Sequence, residues 1–61
     1  MKMTKLAQVR KQKGFTQIEL ADKCGWKKST ISDYERGTRQ PNITKLQVLA
    51  NALDCKISDL I

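Results

Sequence analysis

Apolar positions along this chain recur at helical spacing, and nowhere do they alternate as a half-buried strand requires. Leu6 and Val9 lie i, i+3 on one face of a helix predicted from Thr4 to Lys13, with Gly14 as its stop. A second helix opens with Thr16 and Glu19 in the S/T-x-x-E pattern of a capping box. Phe15 and Leu20 flank that box at the two positions of a hydrophobic staple. Ile18, Ala21 and Cys24 continue the face, and Gly25 closes it. A third helix is predicted from Lys28 to Arg36, with Ile31 and Tyr34 inward and Gly37 at the end. Trp26 and Ile31 can repeat the staple with Lys27 as the cap. Lysine carries no acceptor for the free amides, so Ser29 and Thr30 are alternative caps. Pro41 ends the polar link that follows, because it cannot continue a helix. Asn42 then caps a fourth helix whose apolar series is Ile43, Leu46, Leu49, Ala50 and Leu53. A last apolar turn holds Ile57, Leu60 and Ile61. The expectation is an all-α fold of five helices, one domain over residues 1–61, with no repeats or linkers.

The second and third helices carry the most information. Ala21, Gly25 and Ile31 stand four and six residues apart, the spacing of a tight helix-turn-helix over about residues 16–37. Small Ala21 lets the two helices approach, Gly25 can adopt positive φ, and Ile31 fills the angle between them. Such a unit places one helix end in a DNA major groove.

Charge agrees with that placement. The chain carries 12 Lys and Arg against 6 Asp and Glu, a formal charge of +6. Residues 1–40 hold ten of the cations and four of the acids, so the whole excess travels with the helix-turn-helix. That asymmetry is the electrostatic footprint of a phosphate-binding surface, which a merely solubilising charge would not need. No helix pairs Lys with a broad aromatic face, which argues against an acidic membrane as the partner. No apolar run is long enough to span a bilayer, and the charged start MKMTKLAQVRKQKG has no signal-peptide core.

Length and residue types narrow the chemistry further. A chain of 61 residues leaves little room for an enclosed pocket, since a domain of that size buries only about 60% of its unfolded surface. Histidine is absent, and Cys24 and Cys55 are the two cysteines, far apart in sequence. No metal ligand set and no nucleophile paired with a base can be assembled, so neither an enzyme nor a cofactor is expected. Both cysteines read as small buried hydrophobes of a reducing cytoplasm, with a disulfide as the alternative.

The segments QIELADKCG, STISDYERG and the Pro41-led ITKLQVLANAL together resemble the Cro/repressor-type (Xre-like) helix-turn-helix family of phage repressors and small bacterial regulators. The resemblance runs from Leu6 to Ile61. It implies a lambda-repressor-like domain that binds operator DNA as a dimer. Carried over position by position, Gln17 matches a phosphate-contacting glutamine at a helix start, where free N–H groups and the dipole favour anions. Lys27, Lys28, Ser29 and Asp33 match positions that reach base edges. Lysine can donate to guanine and serine to either edge, while Asp33 could accept from cytosine. Lys27 stands where the family usually has Ser or Thr, so phosphate is its alternative target. Arg36, Thr38, Arg39 and Gln40 surround the loop that grips the DNA backbone and fixes register. Arg10 and Glu35 match a buried ion pair of some members, with a phosphate contact as the alternative for Arg10. Trp26 fits an apolar core position better than a base-stacking one.

The function expected is sequence-specific binding of double-stranded DNA by a transcriptional regulator, a repressor in the first instance, acting in the cytoplasm. An antitoxin or a restriction–modification controller on the same domain is the related alternative. A protein-interaction module that has lost DNA is the alternative from another class. No small-molecule ligand and no membrane are expected as partners. Ile57, Leu60 and Ile61 are expected to contact a second copy, weakly in solution and firmly on DNA, although Leu60 also suits the monomer core.

Overall fold

In a computed structural model, residues 4–61 form four α-helices and one 3-10 turn. These are α1 (Thr4–Gln12), α2 (Gln17–Cys24), α3 (Lys28–Arg36) and α4 (Ile43–Leu53), followed by the 3-10 turn Ile57–Asp59. The expected fifth helix is thus a single tight turn. Three residues separate the end of α4 from it, and it closes with Leu60 N–H donating to the Ile57 carbonyl at 2.9 Å.

Helix boundaries follow local chemistry. At α2 the capping box is complete: Glu19 N–H donates to Thr16 Oγ1 at 3.1 Å, and Thr16 N–H donates to Glu19 Oε1 at 2.8 Å. Gly25 closes α2 in the left-handed region at φ 74°. Trp26 N–H then reaches back to the Ala21 carbonyl at 2.8 Å, the six-to-one bond of a Schellman end. A Cβ at Gly25 would meet nothing within 4 Å, so the requirement for glycine there is conformational and not steric. Asn42 Oδ1 accepts from Lys45 N–H at 2.9 Å and caps α4. That helix ends on Asp54 at φ 52°, a non-glycine residue in the left-handed region.

Leu6, Leu20, Ala21, Ile31, Tyr34, Leu49, Ala50, Leu53 and Leu60 form one buried cluster drawn from all four α-helices and from the residue just after the 3-10 turn. Burying each large aliphatic side chain contributes roughly 1.5–3 kcal/mol. Ile31 enters the core from the first turn of α3 and locks that helix against α2. Two apolar residues depart from the expected pattern. Ile18 and Ile43 are 56% and 63% exposed. Both sit in the first turn of their helix. Cys24 and Cys55 are half-buried and free, not enclosed. Burial pushes both thiols up: Lys23 opposes the rise at Cys24, while at Cys55 Asp59 and Asp54 add to it and Lys13 opposes it.

Candidate nucleic-acid interface

Helix α3 is anchored along one side and free along the other. Ile31 and Tyr34 are buried, whereas Lys27, Lys28 and Ser29 at its start are exposed. Lys27 occupies the cap position itself but makes no side-chain capping bond. Thr30 N–H donates to the Lys27 carbonyl at 3.0 Å, which leaves the amides of Lys28 and Ser29 to solvent or to a ligand. This settles the choice among Lys27, Ser29 and Thr30 in favour of Lys27. Trp26, just before the cap, packs on the core, with its ring edge-on to Tyr34 at 6.0 Å between centroids. Lys45 Nζ from α4 lies 5.2 Å from the centre of the same ring, a cation–π contact. One face of Trp26 is thereby occupied, in keeping with its packing role.

The loop after α3 hangs from one carbonyl. Asp33 O accepts from Gly37 N–H at 2.9 Å, Thr38 N–H at 3.0 Å, Arg39 N–H at 3.4 Å and the Thr38 hydroxyl at 3.2 Å. This fan fixes the backbone of residues 37–39 and leaves the Arg39 and Gln40 side chains exposed. The hydroxyl proton of Thr38 is committed to that carbonyl. On the side-chain side, Arg36 Nη2 donates to Asp33 Oδ1 at 2.6 Å in an i,i+3 pair. Asp33 and Arg36, assigned from sequence to a base and to a phosphate, hold each other in the free protein.

A second cluster joins three helices. Arg10 Nε donates to Glu35 Oε2 at 2.6 Å and Arg10 Nη2 to Glu35 Oε1 at 3.2 Å. Arg10 Nη1 also donates to the Phe15 carbonyl at 2.8 Å. The pair is enclosed, the two side chains being 10% and 9% exposed. Gln17 Nε2, in the first turn of α2, donates to Glu35 Oε1 at 2.9 Å. That link spans residues 18 apart in sequence, and no local spacing announces it. Nor does any pattern announce the anchoring role of the Asp33 carbonyl or the Lys45–Trp26 contact.

At the far end, Leu60 is 1% exposed and belongs to the core, so its surface is not available to a second copy. Ile57 is partly buried against the core, and Ile61 is 67% exposed. Lys5 Nζ donates to the Ile61 carbonyl at 2.9 Å and ties α1 to this end. Among the described residues, no helix is long and apolar enough to cross a membrane. No group of three or more His, Cys, Asp or Glu among them could hold a metal ion.

Two helices crossing at a left-handed glycine, one buried by Ile31 and presenting a basic, polar start, define a helix-turn-helix domain. A helix-turn-helix family model matches residues 6–60. The chain is 32% identical over 53 residues to the immunity repressor protein of Bacillus phage phi105, covering 87% of this chain and 37% of the phage protein. It is 34% identical over 61 residues to the HTH-type transcriptional regulator AnsR of Bacillus subtilis, covering 100% of this chain and 53% of that one. The chain thus spans about half or less of the length of these two curated relatives. The crystal structure of the restriction-modification controller protein C.AhdI from Aeromonas hydrophila is similar at TM-score 0.89 and 33% identity, covering 95% of this chain and 88% of that one. This chain belongs to the Xre/Cro-type helix-turn-helix family, and its fold is the lambda-repressor-like one.

Proposed function

We propose that this chain binds double-stranded DNA sequence-specifically as a cytoplasmic transcriptional repressor, with α3 in the major groove. The observation that carries this reading is the division of α3. Its apolar side is locked into the core, while Lys27, Lys28 and Ser29 stand exposed together at its start. Lys28 and Ser29 read base edges, and Asp33 joins them once a phosphate draws Arg36 away. Lys27 lies nearest the uncapped amides and takes either a base or a phosphate. Arg39 and Gln40 grip the backbone beyond the groove, Thr38 joins them once its hydroxyl turns from the Asp33 carbonyl, and Gln17 grips it at the start of α2. Ile61, with the accessible part of Ile57, meets a second copy across a two-fold axis. The two recognition helices then stand about 34 Å apart, one turn of DNA.

The test is titration of labelled duplexes recovered by selection from a random library, at several salt concentrations. Lys28→Ala is expected to cost about 1–3 kcal/mol on the selected site and to relax one base position. Arg39→Ala is expected to weaken all duplexes alike and to lower the salt slope by roughly one unit. Equal loss on selected and random DNA for Lys28→Ala removes its base-reading role.

A second reading, control of a restriction–modification system, draws support from the likeness to C.AhdI, which this chain matches over 88% of that protein's length. Methyltransferase and endonuclease genes beside this one would favour it.

A further inference from the structure

Glu35 does more than neutralise Arg10. Its carboxylate accepts three hydrogen bonds, two from Arg10 and one from Gln17 Nε2. An ionised carboxylate has no proton to give, so it selects the nitrogen end of the Gln17 carboxamide. The reversed amide would set one oxygen against another at the same 2.9 Å. One N–H of Gln17 is therefore spent inward and the second is left to point elsewhere. Arg10 in turn holds both oxygens of Glu35, and the enclosed pair sums to no net charge. An anion arriving at Gln17 meets an oriented donor and no repelling carboxylate.

We propose that Glu35 is a positioning residue for DNA binding: clamped by Arg10, it orients the Gln17 carboxamide so that its second N–H donates to a backbone phosphate. This rests on the DNA-binding reading above. The rotamer freedom of Gln17 is lost when the domain folds and not when it binds, which favours the complex. The arrangement joins α1, α2 and α3 at one carboxylate, so this phosphate contact is placed relative to the recognition helix by tertiary structure.

The test combines a double-mutant cycle with a spectroscopic signature. Gln17→Ala is expected to weaken binding of a library-selected duplex about tenfold, the worth of one hydrogen bond to a charged oxygen. The pair Arg10→Met with Glu35→Met removes both charges together and strands neither. In that background Gln17→Ala is expected to change affinity less than twofold. A loss of about tenfold there as well overturns the positioning role while leaving DNA binding intact. Failure of the unaltered protein to bind any duplex overturns the DNA reading itself. In the ¹⁵N-labelled protein without DNA, the Gln17 side-chain amide resonances are expected to be displaced from free-glutamine positions. They should return to those positions in the doubly substituted protein. Free-glutamine positions in the unaltered protein would overturn the proposal without reference to DNA.

Discussion

Replacing Glu35 by alanine should come close to unfolding the domain. The substitution deletes three hydrogen bonds and leaves the Arg10 guanidinium, its side chain 10% exposed, without its counter-charge. Breaking a buried pair from one side costs roughly 3–5 kcal/mol, because a desolvated charge is stranded. Arg10 keeps its bond to the Phe15 carbonyl, and a tenth of its surface still meets water. Those two features place the expected loss near the lower bound, about 3 kcal/mol. At roughly 0.05–0.15 kcal/mol per residue, a chain of this size has about 3–9 kcal/mol in total. With a urea m-value of about 1 kcal/mol/M, the midpoint should fall by about 3 M. Urea titration followed by circular dichroism measures it. The control is Arg10→Met with Glu35→Met, expected to stay close to the unaltered protein because neither charge is stranded. A midpoint for Glu35→Ala within about 0.5 M of the parent would refute the claim that this pair is a buried one. An equal fall in the control would assign the loss to packing instead of charge.

Three further substitutions or treatments address other features. Lys27→Asp supplies the side-chain acceptor that α3 lacks, and should add about 1 kcal/mol of stability. The same change should weaken DNA binding and lower its salt slope by about one unit; equal or tighter binding would remove Lys27 from the interface. Asp54→Gly relieves a left-handed conformation at φ 52°, and should raise stability by about 0.5–1 kcal/mol in the same urea assay. A loss would mean that the aspartate side chain stabilises that end. Cys24 and Cys55 should react with iodoacetamide more slowly at pH 8 when folded than in urea, because burial holds both thiols above their ordinary value. By linkage, the folded state binds these protons more tightly, so their contribution is present below the ordinary thiol value of 9.0 and lost as pH rises through the folded values. Equal alkylation rates in the two states would show the thiols to be unshielded.

Local devices could be read from the sequence, and distant contacts could not. The capping box at Thr16 and Glu19, the left-handed Gly25 and the Asn42 cap each depend on residues within about one turn, so spacing alone suffices. The staple with Phe15 places Leu20 in the core, and helical period places Ile31, Tyr34, Leu49 and Leu53 there. It misplaced Ile18 and Ile43, because a period describes a face and says nothing of where the neighbouring helix begins to cover it. Ile57, Leu60 and Ile61 fit helical spacing as well as 3-10 spacing over so short a run, so the sequence does not separate the two. The left-handed Asp54 carries no signal in the sequence, since aspartate enters that region more readily than most side chains but without the preference of glycine. At the interface, residue types showed which side chains are basic or polar and where they cluster. They did not show that Asp33 and Arg36 hold each other, that Thr38 hangs from the Asp33 carbonyl, or that Gln17 leans on Glu35. Those relations arise from how the helices meet.

The longest helix among the described residues, α4, has 11 residues, and α2 has 8. Isolated helices shorter than about 12–15 residues are marginal in water, so none of these elements has a stable existence apart from the others. Partial unfolding that spares the recognition helix has no structural basis beyond fraying at the ends. Amide protons of α2, α3 and α4 should exchange through one common opening, at the free energy of global unfolding. The population able to read DNA is then the population that is folded, with no reserve of half-ordered binders. Anything that shifts that single equilibrium, whether temperature or proteolysis of the opened chain, sets occupancy of the site directly. A ligand held through α3 would in return protect the amides of α1 and α4 as strongly as those it touches.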